Sequence, residues 1–177
     1  RMENMFTYPQ PATEITDTYG CFAFHSGLLS AGCPGPEDTH PLHGEFSCAP
    51  FGEAWIEVSE DSIAISGRYE YTKGFGDHYE AKPVVRLHAG ESFFDIDMEV
   101  TNLSKYQPMP LQYMCHMNYL YEDGAKFGGS LPDSAFTVRS SIPDHVHPTD
   151  EWREMLDGLI TNPKVEELSE ATHYDPE

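Results

Sequence analysis

The chain has 177 residues, 39% hydrophobic and 12% aromatic, which suits a folded domain with a buried core and argues against intrinsic disorder. Ten Lys and Arg stand against 30 Asp and Glu, a net charge of −20 with His neutral. That balance argues against a nucleic-acid partner, which needs clustered cations, and against polyanionic substrates, while neutral sugars are not repelled.

No run approaches the ~18 apolar residues of a membrane span, and no charged-then-apolar leader is visible, so a membrane partner is not expected. Cys21, Cys33, Cys48 and Cys115 lack Cys-x-x-Cys spacing and read as reduced thiols of a cytoplasmic protein.

Residues 1–20 carry Pro9 and Pro11, many polar groups and no period, and are expected to form an arm. Residues 21–29 are apolar enough for a strand or a buried turn. Residues 31–42, with Gly32, Pro34, Gly35, Pro36 and Pro41, must be irregular. A loop so rich in proline holds its shape, which suits presentation of His40, His43 and Glu45.

A meander of strands follows. Over 54–58, Ile56 and Val58 share one face while Trp55 and Glu57 share the other. Over 62–71, Ile63, Ile65, Gly67, Tyr69 and Tyr71 oppose Ser62, Ser66, Arg68 and Glu70. A turn over 73–77 leads to a strand over 80–89. There Val85 and Leu87 oppose Val84, Arg86 and His88. The cleanest alternation sets Phe94, Ile96, Met98 and Val100 inward and Phe93, Asp95, Asp97 and Glu99 outward.

Residues 112–121 read as a buried strand. Leu111, Tyr113, Cys115, Met117, Tyr119 and Tyr121 fall on an apolar face, and Gln112, Met114, His116 and Asn118 on a polar one. Beyond Glu122 the pattern changes. One more strand is expected over 135–139. A helix begins after Thr149 and runs to about Leu156, before Gly158, and a short acidic helix falls within 163–177. Strands at this spacing predict an all-β antiparallel sandwich or barrel.

Two arrangements of chemistry compete. His40, His43 and Glu45, within six residues, have spacing suited to a transition metal of the cupin type if His116 or His25 adds a ligand. Alternatively His43 and His116 both face a small molecule and move protons, with no metal and no cofactor. Gln112 and Asn118 flank His116 on the polar strand face. Arg68 and Arg86 either pair with carboxylates or bind ligand hydroxyls. His145 and His147 read as a solvated loop, and Asp95, Asp97 and Glu99 as a solvated face. No glycine-rich nucleotide loop and no Gly-x-Ser-x-Gly element is present.

The segments Gly27-Leu-Leu-Ser-Ala-Gly-Cys, Pro41-Leu-His43-Gly and Val100-Thr-Asn-Leu, then Pro-Met-Pro-Leu-Gln-Tyr-Met-Cys-His116-Met-Asn-Tyr, resemble the galactose mutarotase superfamily, in its aldose-1-epimerase-like branch. The resemblance runs from about Gly20 to Tyr121 and rests on the order of the elements. It implies a large antiparallel β-sandwich, or supersandwich, that interconverts sugar anomers without a cofactor. It carries His43 onto a substrate-binding or acid/base position and His116 onto the general acid at the ring oxygen. The general base, a glutamate near the C-terminus in that superfamily, has no match here, and Glu166, Glu167 and Glu170 follow without its motif. The superfamily's N-terminal strands also have no counterpart.

The expected organisation is an arm over 1–20, a carbohydrate-binding sandwich over 21–140 and an irregular or helical segment over 141–177. The expected site is His43 and His116, supported by Gln112, Asn118, Arg68, Arg86 and Glu45, with a small-molecule carbohydrate as partner and a homo-oligomer as a compatible assembly. A non-catalytic sugar-binding domain and a metal-dependent sugar isomerase are the alternatives.

Overall fold

The computed structural model describes residues 11–18, 20–119, 122, 124–142 and 147–168. Pro9, Tyr121, His145 and Glu170, named above, lie outside them. The chain divides into two units, Met2–Asn118 and Tyr119–Glu177. Among the described residues, no helix is long and apolar enough to cross a membrane.

Among the described residues, six strands build the first unit: β1 (Ala23–Leu28), β2 (Glu53–Val58), β3 (Ser62–Thr72), β4 (His78–His88), β5 (Phe94–Asn102) and β6 (Gln112–Met117). β2 to β5 form an antiparallel meander in sequence order, and β1 pairs with β6 in a second antiparallel sheet. The fold is therefore all-β, as the alternating pattern predicts. The turns have local causes. Ser59 Oγ accepts from the Asp61 and Ser62 N–H groups, closing β2 on β3. Lys73 N–H donates to Asp77 O at 2.9 Å, closing β3 on β4. Pairing of Thr72 with His78 and of Tyr79 with Asn102 starts β4 earlier and ends β5 later than alternation alone predicts.

The core of this unit is Leu28, Phe46, Tyr79 and Ala81, with Tyr69, Tyr71, Met98, Val100 and Met109 packed against it. Phe46 meets Tyr69 edge-on at 5.7 Å, and Tyr71 stacks on Tyr79 at 5.2 Å. Burying side chains the size of Leu28 and Phe46 contributes about 1.5–3 kcal/mol each. These contacts cover one end of the meander's apolar face. The register continues that face as two further rows: Ile56, Ile65, Val85 and Ile96, then Val58, Ile63, Leu87 and Phe94. Six of these eight are exposed, Ile56 at 67% and Val58 at 73%.

The strand over 112–121 differs from expectation in two ways. It ends at Met117, and its apolar side is the exposed one, with Tyr113 and Met117 in solvent while Met114 and His116 are half-buried. The reason is its partner. Phe24, Ser26 and Leu28 on β1 stand opposite His116, Met114 and Gln112, and Ser26 and Leu28 are fully buried.

In the second unit, α1 (Asp150–Thr161) is capped by Thr149, whose hydroxyl accepts from Trp152 N–H at 3.2 Å. Asp150 and Glu151 add favourable charge to its first turn. The helix runs through Gly158 instead of stopping before it, because Leu156 and Leu159 are both buried on one side. Residues 135–139 form no strand: a 3-10 turn, Asp133–Ala135, is followed by chain without a ladder partner. Within the region expected to hold a short acidic helix, Val165–Glu167 is a 3-10 turn. Residues 169–177 lie outside the described set.

Candidate functional site

The Leu-His-Gly loop is built by backbone packing. His43 N–H donates to Gly32 O at 2.9 Å, and Gly27 N–H donates to His43 O at 2.8 Å. Phe46 N–H then donates to Gly27 O at 3.2 Å, and Ser47 Oγ donates to His43 O at 2.9 Å. The loop passes so close to the chain leaving β1 that a Cβ on Gly44 would come within 1.9 Å of Ser30 O, and β1 lies so close to β6 that one on Gly27 would come within 1.9 Å of Gln112 O. His43 is held at φ 62, a left-handed conformation that non-glycine residues adopt at a cost of about 1–2 kcal/mol.

β6 brings His116 to the same place. Opposite it in register is Phe24, whose ring stacks on the imidazole at 4.6 Å and 15°. The His43 ring stands edge-on to His116 at 5.5 Å and tilted to Phe24 at 5.7 Å. Asn118 follows the strand and is pinned twice, its N–H to Phe22 O at 2.7 Å and its Nδ2 to Cys21 O at 2.9 Å. Its Oδ1 is left facing His116 Nε2 at 3.0 Å, so that nitrogen carries a proton and donates. Asn118 thereby fixes the tautomer of His116.

His43 Nδ1 is buried and has no hydrogen-bond partner. Burial, then repulsion from His116, pulls its pKa below the ordinary histidine value, so the ring is neutral near pH 7. A neutral imidazole beside a second one is equipped to accept a proton from a hydroxyl at one point while the other ring supplies one elsewhere.

The remaining expected residues are placed differently. Glu45 Oε1 accepts from Leu29 N–H at 3.0 Å and from Tyr79 O–H at 2.9 Å, tying the loop to the core. Burial and the Glu45 carboxylate hold the Tyr79 hydroxyl well above the usual tyrosine range. Gln112 is exposed at the start of β6, opposite Leu28. Arg68 and Arg86 lie on the meander face opposite Tyr69 and Val85, away from the core cluster. Arg68 pairs with Glu80 and with Glu70 at 3.2 Å, and Arg86 pairs with Glu57 at 3.8 Å.

His40 Nδ1 donates to Pro41 O at 2.8 Å, and His25 Nδ1 bonds the Tyr113 hydroxyl at 2.8 Å. Among the described residues, no group of three His, Cys, Asp or Glu side chains is arranged to hold a metal. His147 is exposed, Glu166 pairs with Lys126 and Glu167 with Lys164.

Sequence reasoning brought out both histidines but missed Phe24, whose place against His116 depends on the pairing of β1 with β6. It also missed the anchors that turn Asn118 toward the imidazole. A Phe-Ala-Phe-His run alternating toward one face was the available signal.

Fold and site together define an all-β protein whose two-stranded sheet and adjoining loop carry a paired-imidazole centre. Compared with known families, curated proteins and solved structures, the chain gives no match.

Proposed function

We propose that the chain is a carbohydrate-binding protein of the aldose 1-epimerase type, interconverting sugar anomers by proton transfer between His43, His116 and a bound aldose. The observation that carries this reading is the buried, partnerless His43 Nδ1 standing edge-on to His116. Such an atom is satisfied by a ligand hydroxyl. Phe24 adds an apolar wall of the kind against which sugar C–H groups pack.

Neutral His43 takes the proton of the anomeric hydroxyl. His116, held by Asn118, supplies a proton to the ring oxygen as the C1–O5 bond breaks. The aldehyde rotates about C1–C2, the ring oxygen attacks the other face, and both protons return. A positioned acid/base pair contributes about 10²–10⁴-fold. The four unpaired cysteines support a reducing, cytoplasmic setting.

The test is polarimetry on freshly dissolved α-aldoses. Wild-type protein accelerates equilibration, and His116→Ala and His43→Ala each lose that acceleration. If no aldose in a broad panel equilibrates faster with the wild type, the epimerase reading falls.

One observation favours a second reading. Glu45, the carboxylate nearest His43 in the chain, is engaged by Tyr79 and Leu29 rather than held ready as a base. That favours a non-catalytic sugar-binding domain, which calorimetry would reveal as aldose binding without accelerated mutarotation. A metal-dependent isomerase draws no support from His40 and Glu45, each turned to its own partners.

A further inference from the structure

A separate cleft of about 710 Å³ opens at the end of the meander, between the β3–β4 turn and the chain leaving β5. Two rings in its lining stand in solvent, Phe75 at 114% and Tyr106 at 95% exposure. Phe75 is one of the non-glycine residues at positive φ, 58°, in the middle of a tight turn. A bulky residue in that conformation costs about 1–2 kcal/mol, and here no buried ring contact offsets it. An aromatic ring held out on a strained backbone is a feature of ligand clamps.

The charge of the lining inverts that of the chain. With 30 acidic residues against ten cations overall, the cleft has Lys73 and Lys105 in its lining and no carboxylate. The nearby acids are occupied. Asp77 accepts from the Gln107 carboxamide at 2.6 Å, and Glu70 accepts from His78 at 2.8 Å and pairs with Arg68. The stem of Lys73 lies over Gly76, where an added Cβ would meet its methylenes at 3.2 Å. That packing steadies the stem that carries the ammonium group. The Thr72 and Ser104 hydroxyls complete a lining of ring faces, cations and small polar groups.

We infer that this cleft binds an anionic pyranose, its ring packed against Phe75 and Tyr106 and its carboxylate or phosphate met by Lys73 and Lys105. The sugar class rests on the carbohydrate reading above, and the negative charge rests on the cleft alone. The site is distinct from the histidine pair, which contributes nothing to the lining. A substituent charge is recognised at one place while acid/base groups stand at another, as in a protein that senses or retains a charged sugar.

Calorimetry on the full chain at low salt, with D-glucuronate, D-glucose 6-phosphate and D-glucose as probes, tests this. At least one anionic sugar binds about 10-fold more tightly than glucose, and the two anionic arms tell carboxylate from phosphate recognition. Phe75→Ala and Tyr106→Ala each weaken that binding by about fivefold or more. Lys105→Ala erases most of the preference over glucose. Because these side chains are exposed, circular dichroism of each variant matches wild type. Equal affinity for glucose, no binding of either anion, or binding indifferent to Phe75→Ala overturns the inference. A protein that binds glucuronate here yet accelerates no aldose keeps this inference and loses the epimerase reading; mutarotation without cleft binding does the reverse.

Discussion

Gly44 has φ +81 and stands so close to Ser30 O and Gly27 Cα that a side chain has nowhere to go, with clashes at 1.9 and 2.9 Å. Gly44→Ala therefore lowers stability by roughly 3 kcal/mol, combining left-handed strain with overpacking. Gly90 separates the two effects: its φ is +77, with nothing within 4 Å of an added Cβ. Gly90→Ala costs only about 1 kcal/mol. Urea unfolding of both variants checks the difference, and equal losses would show that backbone strain alone governs the loop.

The histidines set a pH dependence with a definite sign. His43 and His25 both have pKa values lowered by burial, His43 also by His116, so the unfolded chain binds their protons first. Their contribution is whole above the unfolded value of about 6.5 and is lost as pH falls from there through the lowered folded values. Stability curves between pH 7.5 and 5.5 should slope downward toward acid. His43→Asn, which tolerates a left-handed backbone, should flatten the slope.

At the scale of elements, the meander was legible because strand alternation is a local signal. Its faces and its turns at 59–61, 73–77 and 89–91 follow from residues a few positions apart. What alternation cannot specify is which apolar face is covered, because that depends on partners far along the chain. Hence β6 was read as a buried strand, and its Tyr113 side is exposed. Residues 135–139 have strand composition but no ladder to join. The helix end was misplaced for a related reason, since burial of Leu159 outweighs a propensity cost of about 1 kcal/mol at Gly158. Both histidines stood out as residue types, one after a proline-rich loop and one on a polar strand face, whereas Phe24 and the Asn118 anchors required the β1–β6 register.

The rows from Ile56 to Ile96 and from Val58 to Phe94 form an apolar surface on ordered strands, which has its own signature. The folded protein should bind an environment-sensitive apolar dye. Ile56 and Ile65 are cross-strand partners, so Ile56→Glu with Ile65→Lys places opposite charges face to face. That double variant should lose most of the dye signal while unfolding within about 0.5 kcal/mol of wild type. A large stability loss would mean that these rows are packed in solution.

Over the whole molecule, the charge of −20 is unevenly placed. The polar face of the meander pairs acids with cations through Arg68, Lys82 and Arg86, and His88 bonds Asp95. Exposed pairs like these contribute about 0–1 kcal/mol each, so their main effect is to bring acids and cations together on that face. The cleft at Phe75 has two lysines in its lining with Asp77 behind Gln107, and the histidine centre has rings and backbone groups. Three local environments of different sign thus occur on a chain whose bulk composition predicts only repulsion of anions.

The pairing of β1 with β6 has a consequence in time. Each meander hairpin closes over a few residues, but His25 and Tyr113, partners across the second sheet, are 88 positions apart. Closing so long a loop is entropically the slower event, so the meander is in place before β6 meets β1. His43 can take its position early, since its backbone partners Gly27 and Gly32 are near it in the chain. His116 arrives with the last strand. The imidazole pair is thus completed only when β6 pairs with β1.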